Sequence, residues 1–222
     1  MPKQKEQIRA LLPAFEAYVT RFYARKFKIP IDEIDVRISD NPIPRSAGGD
    51  SDSGRIPCNP LMHIDYISHD QAYARWSWKD PNWLSEVGLE GGQAPRDLPP
   101  REDLLDMLNL WVPTEEVPDY DLGFVPPEEY DPSTEIEVDL VTGVVSTVPF
   151  TNRRNKILSL HYKPHLTQGE ALIFRSAPGP NAAERAILHG AFRSNSQPGL
   201  TRRSVEFRCM IFRRKTKKKE GG

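Results

Sequence analysis

The first feature that points to chemistry is a histidine and a carboxylate placed two positions apart. His63 and Asp65 lie in the segment Met62–Tyr66. If this segment is a strand, both side chains point to the same face and converge on one point. With a second histidine far along the chain, for which His189 is the candidate, they make the 2-His-1-carboxylate set that binds non-haem Fe(II) and leaves coordination positions open. The sequence therefore predicts His63, Asp65 and His189 as metal ligands at a catalytic centre.

An arginine and a serine at the same spacing follow the second histidine. A guanidinium binds a carboxylate through two parallel hydrogen bonds, and a hydroxyl can add a third. Three ligands followed by such a pair is the chain order of iron/2-oxoglutarate oxygenases. Arg202 and Ser204 are therefore predicted to bind the distal carboxylate of 2-oxoglutarate, with O2 at a remaining metal position. The alternative is that Arg202 and Arg203 are surface residues before an edge strand.

The other three histidines are left out of the ligand set, because a lone histidine is more often structural. His69 is either a group behind the ligands or a ligand in its own right. His161 lies on a predicted strand and can face either way, and His165 follows a proline in a predicted loop. A histidine–aspartate pair alone is weak evidence, and the ordered set of five residues carries the prediction.

Aromatic residues cluster just after the predicted ligand segment. Three of the four tryptophans fall within eight consecutive residues. They form either a core or lid cluster, or the apolar wall that small-molecule pockets usually have. On the second interpretation Trp76 and Trp78, together with Trp111 and Arg208, contact a substrate, and Asn109 contacts the co-substrate.

Length and composition limit the class of protein. The chain has 222 residues, of which 38% are hydrophobic and 27% charged, and its net charge is -1. We expect one globular domain over residues 1–222, with no nucleic-acid or membrane partner, as a monomer or homodimer. The first six residues lack the apolar run of a signal peptide, and two cysteines are too few for a disulfide framework, so a cytoplasmic location is expected.

The hydrophobic periodicity predicts one helix followed by many short strands. An apolar stripe at helical spacing runs over residues 5–28, with a kink or a late start at Pro13. The tail, residues 213–222, is basic and expected to be disordered. Strands are predicted at 34–38, around 63–66, in the second half of 104–113, in a hairpin over 136–148, and at 157–162, 171–175, 188–192 and 204–212; loops at 39–60, 86–100, 119–132 and 176–183. This order favours a mainly β fold, a double-stranded β-helix or jelly roll of the cupin type over residues 34–212.

Five motifs in order resemble the gibberellin-desaturase-like family of Fe(II)/2-oxoglutarate-dependent oxygenases, which includes relatives of the cephamycin-pathway hydroxylase component. They are Met62–Tyr66, Asn109–Pro113, His161–Tyr162 before Gly169–Arg175, His189–Phe192 and Arg202–Arg208. Two residues depart from the family pattern: Val112 stands where relatives have arginine, and Gly190 where they have threonine. Both changes put the substrate of the family in doubt for this chain. They leave the predicted metal ligands intact.

The resemblance implies an oxidoreductase that oxidises a C–H bond of a small molecule by hydroxylation, desaturation or oxidative cyclisation, in secondary-metabolite biosynthesis. One alternative is a non-catalytic cupin-like protein that binds a small molecule. A second is a nucleic-acid-binding module, suggested by the basic residues 213–219, although a terminal charge run is usually solvated. The substrate stays open among an amino acid, a terpenoid acid and a polyketide.

Overall fold

The protein is mainly β, with one long N-terminal helix and antiparallel sheets. The computed structural model describes residues 2–39, 43–46, 56–57, 62–66, 68–77, 98–117, 119–129, 135–139, 145–149, 159–179, 184–193 and 202–214. The helices are α1 (Pro2–Phe27) and α2 (His69–Ser77). The strands are β1 (Ile34–Ile38), β2 (Ile43–Ser46), β3 (Ile56–Pro57), β4 (Leu104–Pro113), β5 (Asp121–Val125), β6 (Glu135–Asp139), β7 (Val145–Pro149), β8 (Leu172–Arg175), β9 (Leu188–Phe192) and β10 (Arg203–Arg213).

A six-stranded sheet organises the molecule around its two long central strands, β10 and β4. The strand order is β3-β2-β10-β4-β8, and β1 pairs with the same side of β10 as β2 does, further along the strand. All pairs in it are antiparallel except β2 with β3. Two smaller antiparallel pairs, β5 with β9 and β6 with β7, complete the described strands.

The helix α1 covers one face of the large sheet. Its buried residues Phe15, Val19 and Tyr23 are four positions apart, which places them on one stripe of the helix. They pack against alternate residues of β10 and β4, such as Phe207 and Leu110. Because side chains alternate between the faces of a strand, the residues between these apolar ones face the opposite side, and that side carries the polar groups.

A buried hydrogen bond fixes α1 to the sheet. The hydroxyl of Tyr23 donates to Asp106 Oδ2 at 2.7 Å, and Arg175 makes a two-pronged contact with the same carboxylate. Tyr23→Phe should lower the free energy of unfolding by about 1.5–3 kcal/mol, since it removes a hydrogen bond to a charged acceptor. Urea denaturation measures this change. The control is Tyr18→Phe on the same helix, whose side chain is 51% exposed, and an equal loss there would contradict the assignment.

The structure corrects several local predictions for the first third of the chain. The helix begins at Pro2 rather than near residue 5, and Pro13 lies inside it, so a late start is wrong. Tyr18 and Phe22 of the predicted stripe are exposed and stack on each other, with ring centroids 6.4 Å apart. Strands β2 and β3 lie within the predicted loop 39–60. Their backbone pairs with neighbouring strands although their sequence lacks alternation.

Further corrections concern the second half. Strand β4 spans all of Leu104–Pro113, and β5 lies in the predicted loop 119–132. In the described part of 157–162, only His161 makes a β-bridge. β8 is an edge strand with Ile173 41% exposed, so it is not the fully buried strand that was predicted. The strands 34–38, 188–192 and 204–212 and the pairing in the hairpin are confirmed.

Among the described residues, no helix has the length and apolar character that crossing a membrane requires. The predicted disordered tail, apart from its first two residues, lies outside the described part of the chain.

Candidate metal centre

Two histidines and an aspartate meet on the polar side of the large sheet. The ligand atoms of His63, Asp65 and His189 all lie within 4.8 Å of one another. Each imidazole Nε2 is 3.8 Å from a different oxygen of the Asp65 carboxylate. The side chains of Asp65 and His189 are 7% and 4% exposed, and that of His63 is 12% exposed. A small shift of these atoms would place all three around one metal ion.

Two backbone hydrogen bonds hold the two histidine segments together. His63 N donates to His189 O and His189 N donates to His63 O, both at 2.9 Å. The two rings lie side by side, with centroids 4.5 Å apart. This isolated bridge replaces the regular strand predicted for residues 63–66, and Asp65 lies in a bend after it. The carboxylate therefore reaches the histidines through a bend, and not through the alternation of a strand.

The end of β8 supports both ligand segments. Tyr66 N donates to Ser176 O at 3.2 Å, immediately after Asp65. Ile187 N donates to Arg175 O at 2.9 Å, two residues before His189. The two acceptors are adjacent, Arg175 being the last residue of β8 and Ser176 the next one, so both segments are fixed relative to the sheet and to each other.

The His189 ring is oriented by its own backbone and by an aromatic neighbour. Its Nδ1 lies 2.9 Å from the carbonyl oxygen of Ile187. A carbonyl can only accept, so Nδ1 carries the proton and Nε2 keeps its lone pair for a metal. The ring of Phe174 packs against His189 with centroids 4.5 Å apart, which limits rotation of the imidazole.

Asp65 is kept ionised despite its burial. Burial alone would raise the pKa of its carboxyl group, but the guanidinium of Arg208, the neighbouring rings of His189 and His63 and a hydrogen bond from Asn109 lower the pKa to about 2. The hydrogen bond runs from Asn109 Nδ2 to Asp65 Oδ2 at 2.6 Å. A charged carboxylate at neutral pH is the form that binds a cation.

Arg208 closes the other side of the Asp65 carboxylate. Its guanidinium lies 3.6 Å from Asp65 Oδ1, donates to the hydroxyl of Tyr66 and sits 5.2 Å above the centroid of that ring. The predicted contact of Arg208 with a substrate stays a prediction. What the structure shows is an arginine that neutralises part of the charge beside the ligands.

Arg202 and Ser204 are buried. The alternative in which Arg202 and Arg203 are surface residues is therefore wrong for Arg202. Arg202 is 2% exposed, while Arg203 is exposed. Arg202 NH1 donates to Tyr120 O at 2.6 Å, and Nε lies 3.3 Å from Ser204 Oγ. The guanidinium sits 4.9 Å from the centroid of the Trp111 ring. A buried arginine beside a hydroxyl is suited to hold an anion, because it is a fixed positive charge with several donors.

Trp111 links this arginine to the metal centre. It is 1% exposed and packs with Leu122, Leu166 and Phe174, and Phe174 touches His189. Within the described part of the chain, its Nε1 has no hydrogen-bond partner. An aromatic layer therefore joins the arginine to the His189 ligand.

The remaining predicted residues divide into two groups. Trp76 lies in α2, but its side chain, like all of Trp78, falls outside the described residues. His161 and His165 are exposed, whereas His69 is buried, and that burial lowers its pKa. Only the three predicted ligands form a metal-type cluster among the described residues.

Sequence reasoning missed Tyr66 and Glu206. Glu206 is 7% exposed, lies 3.3 Å from Asn109 Nδ2 and 3.8 Å from Arg208 Nε. The sequence does contain a signal for Glu206. Residues two apart on a strand share a face, and Glu206 lies between Ser204 and Arg208 at this spacing. Only the register of β10 with β4, which sets Arg208 opposite Asn109, shows that this face looks onto Asp65.

No family model matches this sequence, and no curated protein matches it. Solved structures of similar fold include the iron and alpha-ketoglutarate-dependent endoperoxidase NvfI, with a TM-score of 0.59, 16% identity, and coverage of 97% of this chain and 76% of that chain. A different conformation of it gives a TM-score of 0.59 at 18% identity, covering 97% and 74%, and a variant of it gives 0.56 at 18%, covering 97% and 76%. At this identity the similarity establishes the fold alone.

Proposed function

We propose that this protein is an Fe(II)- and 2-oxoglutarate-dependent oxidoreductase that oxidises a C–H bond of a small molecule. The reaction is hydroxylation, desaturation or oxidative cyclisation, in secondary-metabolite biosynthesis in the cytoplasm. The observation that carries the proposal is the buried cluster of His63, Asp65 and His189. The fold shared with an iron and alpha-ketoglutarate-dependent endoperoxidase supports it.

The donor set fits ferrous iron. Two imidazole nitrogens and one carboxylate form the facial triad of non-haem Fe(II) oxygenases. The pKa of Asp65 is lowered, so its carboxylate is ionised at neutral pH, and the protonated Nδ1 of His189 leaves the lone pair of Nε2 to bind a metal beside Asp65. When bound, Fe(II) would supply the activation of O2, coupled to oxidative decarboxylation of 2-oxoglutarate.

The chain's own residues have separate tasks in this proposal. Arg202 and Ser204 bind the distal carboxylate of 2-oxoglutarate, and the face of Trp111 holds the Arg202 guanidinium in place. Asn109 holds the Asp65 ligand through its amide, and its predicted contact with the co-substrate belongs to the same proposal. The aromatic layer around Trp111 excludes water from the centre, where it would compete for the metal and the reacting groups.

We also propose the detailed fold, the family and the substrate contacts. Residues 34–212 form a double-stranded β-helix of the cupin type within a single domain, and the protein groups with the gibberellin-desaturase-like oxygenases. Trp76, Trp78 and Trp111 contact the substrate body. The non-polar residues packed around Trp111 favour a substrate with a large apolar part.

Succinate formation is the direct test. Purified protein incubated with Fe(II), 2-oxoglutarate and O2 should form succinate slowly without substrate and faster with the correct one. Succinate can be quantified by mass spectrometry while a metabolite panel is screened. The controls are a chelator in place of Fe(II) and the His63→Ala variant. Wild-type protein that fails to bind Fe(II) or Mn(II) under anaerobic conditions would contradict the proposal.

A further inference from the structure

We infer that Glu206 is a positioning residue for the metal centre, which acts by fixing the amide of Asn109 and, through it, the carboxylate of Asp65. This inference rests on the proposed function, because it concerns the same metal site. It adds a residue that does not touch the metal itself, since the described cluster of ligand atoms comprises His63, Asp65 and His189.

A single amide group contacts both carboxylates. Asn109 is completely buried in the middle of β4. Its Nδ2 donates to Asp65 Oδ2 at 2.6 Å and to Glu206 Oε1 at 3.3 Å. An amide nitrogen carries two hydrogens, so one group satisfies both acceptors. The shorter bond goes to the metal ligand and the longer one to Glu206.

Glu206 and Asp65 together fix which end of the Asn109 amide faces Asp65. Rotation of the amide by half a turn would place Oδ1 against two carboxylates, where oxygen repels oxygen. Oδ1 has no hydrogen-bond partner among the described residues, so nothing described holds that end. The carboxylates of Asp65 and Glu206 therefore fix the orientation of the Asn109 amide. Of the two, only Glu206 is outside the cluster of candidate metal ligands.

Arg208 makes it possible to bury these two carboxylates side by side. Its Nε lies 3.8 Å from Glu206 Oε1, and its NH2 lies 3.6 Å from Asp65 Oδ1. One positive charge between two negative charges reduces their repulsion, and a buried charge without such a partner is very costly. Glu206 and Arg208 share a face because they are two positions apart on β10.

The consequence is a specific dependence of metal affinity on a residue outside the ligand set. Hydrogen-bonding partners of metal ligands typically contribute a factor of about 10–100 to affinity. In Glu206→Gln the new amide can donate to Asn109 Oδ1. The glutamine can also accept from Asn109 Nδ2, as Glu206 does, but without the second charged carboxylate the rotated Asn109, which does not donate to Asp65, is no longer excluded.

Mn(II) binding under anaerobic conditions tests this inference without substrate or turnover, by calorimetry or electron paramagnetic resonance. Glu206→Gln and Asn109→Ala should each weaken Mn(II) binding about 10- to 100-fold. Because Glu206 acts through Asn109, the double variant should bind within about threefold of Asn109→Ala alone, as coupled residues are not additive. Glu206→Asp keeps the charge but shortens the reach, and it should also weaken binding.

The control is Asp35→Asn, which removes a buried carboxylate of the same sheet that pairs with Arg37 instead. Its Mn(II) affinity should equal that of the wild type. Unchanged affinity in both Glu206 variants, or an undiminished effect of Glu206→Gln in the Asn109→Ala background, would overturn the inference and leave the proposed function standing. Wild-type protein that binds no Mn(II) would overturn the proposed function itself.

Discussion

Replacing His63, Asp65 or His189 with alanine is expected to abolish Fe(II)-dependent formation of succinate while the protein stays folded. Each change would remove one of the three proposed metal ligands. The apolar cluster between α1 and the large sheet contains none of these residues, so most of the core is preserved. Succinate assays and anaerobic metal titration measure the loss, and circular dichroism with gel filtration measures the folded state.

The matched control for the histidines is His165→Ala. His165 is exposed and pairs only loosely with Glu116, at 3.5 Å, so its loss should leave metal binding and turnover unchanged. Full activity in any of the three ligand variants would show that the triad is wrongly assigned. The histidines to examine next would then be His69 and His161.

Arg202→Ala should raise the 2-oxoglutarate requirement steeply. The guanidinium is 2% exposed and lies against the ring of Trp111. Removing it would leave the carboxylate of the co-substrate buried without its counter-charge. Such losses cost about 2–5 kcal/mol, or roughly 30-fold to more than 1,000-fold in affinity. The measurement is the Kd of 2-oxoglutarate for the metal-loaded protein, together with its KM in the succinate assay.

Two neighbouring residues provide the comparison. Ser204→Ala should cost only about 0.5–1.5 kcal/mol, because one neutral hydrogen bond is lost. Arg203→Ala should cost nothing, since Arg203 is exposed and lies 3.5 Å from Glu115 at the surface. If Arg203→Ala weakened binding while Arg202→Ala did not, the co-substrate would lie on the other face of β10.

The residue types and spacing were sufficient to predict which side chains meet at the centre. His63, Asp65 and His189 come together as the sequence indicates, and Arg202 and Ser204 share a buried environment. Chemical identity and order along the chain carry this information, because a metal needs particular donor atoms whatever backbone presents them.

The backbone that presents them was harder to predict. Asp65 lies in a bend and His63 in a single bridge, and both conformations are stabilised by contacts with residues more than a hundred positions away. Local patterns do not contain such contacts. The hydrogen bonds of Asn109 to Asp65 and Glu206 were not predicted for this reason: the contact with Glu206 depends on the register of β4 with β10, which alternation alone leaves undetermined.

The exposed residues of α1 show the limit of periodicity. The predicted apolar stripe joins Tyr18 and Phe22 with Phe15 and Val19, yet the residues that are buried against the sheet are Phe15, Val19 and Tyr23. A helix rich in aromatic residues offers two overlapping faces. The polar hydroxyl of Tyr23 with its buried partner Asp106 decides between them, and that pairing is long-range.

The reciprocal backbone bonds between His63 and His189 have a thermodynamic consequence. The unfolded chain does not keep two such distant residues together, because closing so long a loop costs conformational entropy. A divalent ion therefore has high affinity only for the native state, and mass action adds about 2.7 kcal/mol of stability at a free ion concentration of 100 times Kd. The melting temperature should thus rise with ion concentration, so that heat resistance reports occupancy of the centre in the absence of oxygen and of any known substrate.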